Sequence, residues 1–144
     1  MTESCLIRSD RDGIATLVLN APERLNALSD VMLAALADAF GALAADRSAR
    51  VVILRAEGKA FCAGHDLKEM QAARAGADKG RAAFTDLFAR CAEVMQMIPA
   101  LPQPVIAQVQ GVAAAAGCQL VASCDMVVAS DTARSGANGV NIGL

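Results

Sequence analysis

Two stretches decide the fold: Val51-Val52-Ile53-Leu54 leading to Phe61-Cys62-Ala63-Gly64-His65-Asp66, and Val105-Ile106-Ala107 leading to Gly111 through Gly117. Each reads as a short buried strand, then a glycine-containing turn, then a helix. Such a turn leaves backbone N–H groups unpaired at a helix N-terminus, where the dipole favours negative charge. Two of them converging on one point would make an oxyanion hole. Spacing alone says nothing about convergence, and most strand-to-helix turns bind nothing.

Working outward, the strand Arg50–Arg55 follows an amphipathic helix over 29–46, with Leu33, Leu36, Phe40 and Leu43 at helical spacing, Ser29 as N-cap and Asp30 in the first turn. Before that helix, Ile14–Asn20 alternates as a strand, and Cys5–Ser9 is expected to pair with it across an Asp10-Arg11-Asp12-Gly13 turn. Ala56–Gly64 reads as a loop. Asp66 is expected to cap a short helix, with Glu69 completing a capping box. Gln71–Gly80 is polar and glycine-containing, the composition of a mobile segment. Phe84, Leu87, Phe88, Cys91, Met95 and Ile98 then form the apolar face of a second long helix, ended by Pro99, Pro102 and Pro104. Beyond it lie a strand at Pro104–Gln108, a helix at Ala115–Ser123 and a strand at Asp125–Ala129. Repeated strand-strand-helix units with crossover connections indicate an α/β fold, and nothing in 1–144 suggests a linker or second domain.

Composition narrows the function classes. The 144 residues are 55% hydrophobic with a net charge of -2, and Trp and Tyr are absent. Scattered basic residues and few aromatics argue against a nucleic-acid surface. The densest apolar run, Gly111–Ala122, is short of the roughly 18 residues a spanning helix requires, so no membrane partner is expected. Five cysteines lack CxxC or zinc-like spacing, so no metal is expected and reduced thiols are. The N-terminus carries no targeting pattern, which reads as cytoplasmic. No G-x-G-x-x-G follows a strand, so dinucleotide binding is not indicated.

Residue strings add to this reading. Gly58-Lys59-Ala60-Phe61-Cys62-Ala63-Gly64-His65-Asp66-Leu67-Lys68-Glu69-Met70 resembles the first signature of the crotonase (enoyl-CoA hydratase/isomerase) superfamily. Pro104-Val105-Ile106-Ala107, Gly111, Gly117-Cys118-Gln119-Leu120 and Cys124-Asp125 resemble the second, and Arg24-Leu25-Asn26-Ala27-Leu28 matches the family's early loop. The string Ala-Ala-Gly-Cys-Gln-Leu-Val-Ala-Ser-Cys-Asp, with Gly-Val-Asn-Ile-Gly-Leu near the end, is similar to the subgroup of enoyl-CoA hydratase domain-containing 3 proteins. The resemblance implies the crotonase-like fold shared with Clp proteases. It also implies a coenzyme A thioester as substrate or ligand, no permanently bound cofactor, and a role in fatty acid metabolism. By family length the chain is the N-terminal portion, truncated before the helices that close the acyl site and mediate a homotrimer or hexamer.

The same resemblance assigns the oxyanion N–H groups to His65 and Ala116, and the CoA contacts to Arg24, Ala63, His65, Asp66, Leu67 and Lys68. Bland alternatives stand beside these: Arg24 and Lys68 as solvated surface charges, the His65 side chain as a wall residue, Asp66 as a helix cap, Asp125 as a strand-start hydrogen-bonding residue. Where family hydratases carry their two catalytic glutamates, this chain has Gln119 and Gly139. Glutamine can orient water but cannot take up its proton, and glycine has no side chain, so the two-glutamate hydration is not available. Ser135 stands where the family has a large aromatic, which implies a thinner acyl-pocket wall.

Two readings follow. In one, the chain is a lyase or isomerase of altered chemistry that borrows its acid or base from His65, a water on Gln119, or the absent half. In the other, it is a catalytically silent acyl-CoA-binding or regulatory protein. A Clp-like serine hydrolase is disfavoured, because neither turn contains a serine and the chain has one histidine.

Overall fold

The computed structural model describes residues 4–142. A hairpin opens the chain: β1 (Leu6–Arg11) pairs antiparallel with β2 (Ile14–Leu19), Arg11 opposite Ile14. The turn is therefore Asp12-Gly13 alone, both with positive φ, rather than the four residues expected. Positive φ at both central positions matches the twist of the flanking strands, so the ladder runs to the tip. A 3₁₀ turn (Pro22–Arg24) leads to α1 (Asp30–Ala44), whose N-cap Ser29 accepts a hydrogen bond from the Met32 N–H.

β3 (Val51–Ala56) then lies parallel to β2, and β5 (Val105–Val109) parallel to β3. β7 (Met126–Ala129) completes a five-stranded sheet in the order β1-β2-β3-β5-β7. Asp125 stands at the start of β7 and its carboxylate accepts from the Val105 N–H at 2.7 Å, the structural role expected for it. Alternate residues Leu17, Leu19, Val52, Leu54, Val105 and Ala107 are buried, and that face packs against Leu36 and Phe40 of α1 and Val94 and Ile98 of α3 (Arg81–Ala100). Pro99 sits inside the last turn of α3 instead of ending the helix.

Three strands were not legible in the sequence. β4 (Ala60–Cys62) lies within the stretch read as a loop, β6 (Val112–Ala114) inside the run from Gly111 that reads as turn and helix, and β8 (Arg134–Gly136) near the chain's end. Together they form a second, parallel sheet in the order β4-β6-β8. At three residues each they are too short to show an alternating pattern. The polar segment 71–80 differs too: α2 (Leu67–Arg74) takes its first four residues. α4 (Ala116–Ala122) follows β6, and the described part ends in a 3₁₀ turn, Asn138–Ile142. No helix among the described residues is long and apolar enough to cross a membrane.

Candidate functional site

The small sheet places the two strand-to-helix turns side by side. β4 and β6 are parallel neighbours, so both chains leave the sheet at the same end, β4 through Ala63–Asp66 into α2 and β6 through Ala115 into α4. Glycine permits the approach at two points. A Cβ on Gly117 would fall 2.2 Å from the Cys62 carbonyl oxygen, and one on Gly64 would meet Ala114 O at 3.0 Å and Ala115 Cβ at 3.2 Å. Gly64 also has φ +97, a region that side chains disfavour.

The hydrogen bonds that hold the turns are specific. Ala63 N–H donates to Leu25 O (3.1 Å), Leu28 N–H to Gly64 O (2.8 Å) and Ala115 N–H to Gly136 O (2.8 Å). The N–H groups of His65 and Ala116 take part in none of these. Ala116 is the first residue of α4, whose opening N–H groups have no intrahelical acceptor. Ala115 before it stands at φ 50, ψ -121, which turns the peptide joining it to Ala116.

Beside the turns lies a cleft of about 980 Å³. It gathers Arg24, Ala63, His65, Asp66, Leu67, Lys68, Ala116, Gln119 and Gly139, the positions that the resemblance assigns to oxyanion binding, CoA contact and the usual glutamates. Gln119 and Gly139 thus lie in the same cleft as the two turns. Phe88, Cys91 and Ala92 of α3 and Ala122 of α4 supply an apolar wall. Phe88 is a correction: 44% exposed, it faces the cleft instead of the core. Its ring meets that of His65 edge-on, with centroids 5.4 Å apart and planes at 79°. Helical spacing marks an apolar face without marking where core ends and cleft begins. Ser135, expected in the acyl wall, is instead exposed on β8, opposite Ala113 and outside the cleft lining.

The polar groups differ in how freely they face the cleft. Asp66 is buried and caps α2, accepting from the Lys68 N–H (3.0 Å) and Glu69 N–H (3.1 Å), as the sequence indicated. Burial opposes its charge, but those N–H groups and the Arg24 guanidinium outweigh burial and hold the carboxyl below its ordinary value. Arg24 is 43% exposed but not unengaged, pairing with Asp66 and, at 3.2 Å, with Glu69. The capping box does not form. Glu69 turns instead to α1, accepting from the Asp30 N–H at 2.8 Å, so one carboxylate ties two helix starts and Arg24 together. Lys68 is exposed at the rim and has no carboxylate within ion-pair distance among the described residues. Burial pushes the His65 imidazole below its ordinary value.

Asn26, part of the early loop, gains a role that the string alone did not show. Fully buried, its side chain accepts from Ala21 N–H and donates to Glu57 O and Ala60 O, fastening the loop that bears Arg24 to the start of β4.

Comparison with known proteins agrees with this architecture. Residues 9–144 match the family model described as enoyl-CoA hydratase/isomerase. The chain is 47% identical over 134 residues to the rat protein named enoyl-CoA hydratase domain-containing protein 3, mitochondrial, which covers 93% of this chain and 43% of that protein. An enoyl-CoA hydratase crystal structure from Mycobacterium smegmatis superposes with a TM-score of 0.91 at 55% identity, covering 99% of this chain and 54% of that one. Human enoyl-CoA hydratase domain-containing protein 3 gives a TM-score of 0.88 at 42% identity, covering 97% and 53% respectively. The chain therefore spans about half the length of the relatives it matches. The expectation of a cytoplasmic location is corrected here: the rat relative is named mitochondrial, as are its frog and human counterparts, and a missing N-terminal pattern in this sequence is no argument against that. With the crotonase fold, both signature strings and a family match over most of its length, the chain belongs to the enoyl-CoA hydratase/isomerase family.

Proposed function

We propose that the cleft binds an acyl-CoA thioester and stabilises its enolate, with the thioester oxygen held by the backbone N–H groups of His65 and Ala116. The observation that carries the reading is the adjacency of β4 and β6, which sets the two turns together at the edge of one cleft. A preorganised N–H donor of this kind is worth about 2.7–4 kcal/mol to a developing oxyanion. The apolar wall of Phe88, Cys91, Ala92 and Ala122 suits an acyl chain. Lys68 at the rim suits a CoA phosphate, and the backbone of Ala63, Asp66 and Leu67 lines the approach. Arg24 can join only by loosening its hold on Asp66 and Glu69, which makes it the weaker phosphate ligand of the two.

Hydration by two carboxylates is not part of this proposal. Gln119 and Gly139 stand in the cleft where such groups would be needed, and Asp66 is committed to its cap and to Arg24. That substitution also favours a second reading, a protein that binds acyl-CoA without turning it over. Assembly into a homotrimer or hexamer belongs to the proposal for the full-length protein and is read by light scattering. Equilibrium dialysis tests the binding claim: butanoyl-CoA binds more tightly than free coenzyme A because the thioester oxygen contributes. Equal affinities would remove the N–H pair from the site.

A further inference from the structure

We propose that the His65 imidazole moves the α-proton of the bound thioester, so that the cleft performs proton exchange and double-bond migration rather than water addition. The inference rests on the acyl-CoA reading above and assigns its chemistry. One residue would then act twice, its N–H on the thioester oxygen and its ring on the neighbouring carbon.

Elimination among the titratable groups that line the cleft leads there. Glu23 and Arg24 come from the 3₁₀ turn, Asp66 and Lys68 from the start of α2, Cys91 from α3 and Cys118 from α4. Arg24 and Asp66 are paired with each other. Glu23 and Lys68 are exposed at the rim, in bulk water. Burial raises the Cys91 thiol, and Cys118 offers a half-buried sulfur, a weak acceptor. Gln119 has no titrating group.

His65 fits the task by contrast. Its ring lines the cleft and packs edge-on against Phe88. Nδ1 is enclosed and meets no hydrogen-bond partner among the described residues, so no bond at that atom commits the ring to the fold. An unpaired buried polar atom is costly and calls for a reason. With Nδ1 enclosed, the ring trades protons with the cleft through Nε2. The downward push of burial keeps the imidazole neutral near pH 7, the form that accepts a proton.

The step balances without an added reactant. Neutral imidazole takes the proton from Cα, the C–H pair moves into the Cα–C bond, and the charge settles on the thioester oxygen at the two N–H groups. The imidazolium returns the proton to Cα, giving exchange. Returned to Cγ of a β,γ-unsaturated chain, it gives the conjugated isomer.

The test incubates the 144-residue chain with but-3-enoyl-CoA in D2O. Proton NMR follows deuterium at Cα and the appearance of but-2-enoyl-CoA, and calorimetry follows acetoacetyl-CoA binding in parallel. The wild-type chain exchanges. His65→Gln, which keeps the backbone N–H, still binds but exchanges at least about 100-fold more slowly, the scale of one general acid–base group. His65→Ala regains exchange when imidazole is added, which neither an unfolded variant nor a merely structural histidine would do. Wild-type exchange in His65→Gln, or a wild-type chain that binds without exchanging, overturns the inference and leaves the acyl-CoA site standing. A chain that binds no CoA ester overturns both.

Discussion

Ala115 stands at φ 50, ψ -121, where an alanine Cβ crowds its own backbone, and Gly64 packs against that Cβ. Non-glycine residues held in sparse regions of this kind cost about 1–3 kcal/mol and gather at functional sites. Here the strain orients the peptide that carries the Ala116 N–H. Ala115→Gly relieves it at an unfolded-state cost of about 0.4–1 kcal/mol, so a net stabilisation of about 1 kcal/mol is expected. Urea unfolding reads it as a raised midpoint with unchanged slope, and a lowered midpoint would show that the alanine is unstrained. At this scale the sequence singled out His65, Ala116, Gln119 and Gly139, and all four line one cleft. The surroundings of Phe88 and Arg24 were not legible. Whether an apolar side chain on a helix faces core or cleft, and whether a charge is paired, depend on residues distant in sequence, such as His65 for Phe88 and Glu69 for Arg24.

Among elements, the two short helices flanking the cleft are held by different means. α2 is held by its cap. Asp66 titrates below its ordinary value in the folded chain, so its stabilisation is complete above that ordinary value and is lost as pH falls through the lowered one. Acid unfolding of the wild type therefore steepens in that window, and Asp66→Asn flattens the loss there. An identical acid limb in both proteins would mean that Asp66 contributes nothing through its charge. α4 is held by close approach. Gly117→Ala drives a Cβ to 2.2 Å from the Cys62 carbonyl oxygen, and backbone must shift. The expected cost is about 1–3 kcal/mol, with weaker CoA-ester binding as the turns separate; full stability and affinity by calorimetry would contradict the close contact. The long helices and the central strands β2, β3 and β5 were legible because their burial is periodic, and β7, exposed along its length, through its apolar run. β4, β6 and β8 were not, since three residues cannot display a period and each owes its place to pairing with another.

Taken whole, the described molecule is a large sheet backed by two helices and a small sheet from which the two turns leave. The fold class was legible because strand, turn and helix recur in order. The convergence of the turns was not, because it arises from a pairing between β4 and β6 across about fifty residues of intervening chain. That convergence is the central claim, and calorimetric titration with acetoacetyl-CoA, beside the Ala116→Pro variant, tests it most directly. Proline is at home at the first helical position and removes the N–H in question, although it restricts Ala115, so circular dichroism must show the variant folded. The account predicts saturable binding by the wild-type chain and roughly 100-fold weaker binding by folded Ala116→Pro, the scale of one lost oxyanion donor. Equal affinity in the two folded proteins, or no binding by the wild type, would contradict it.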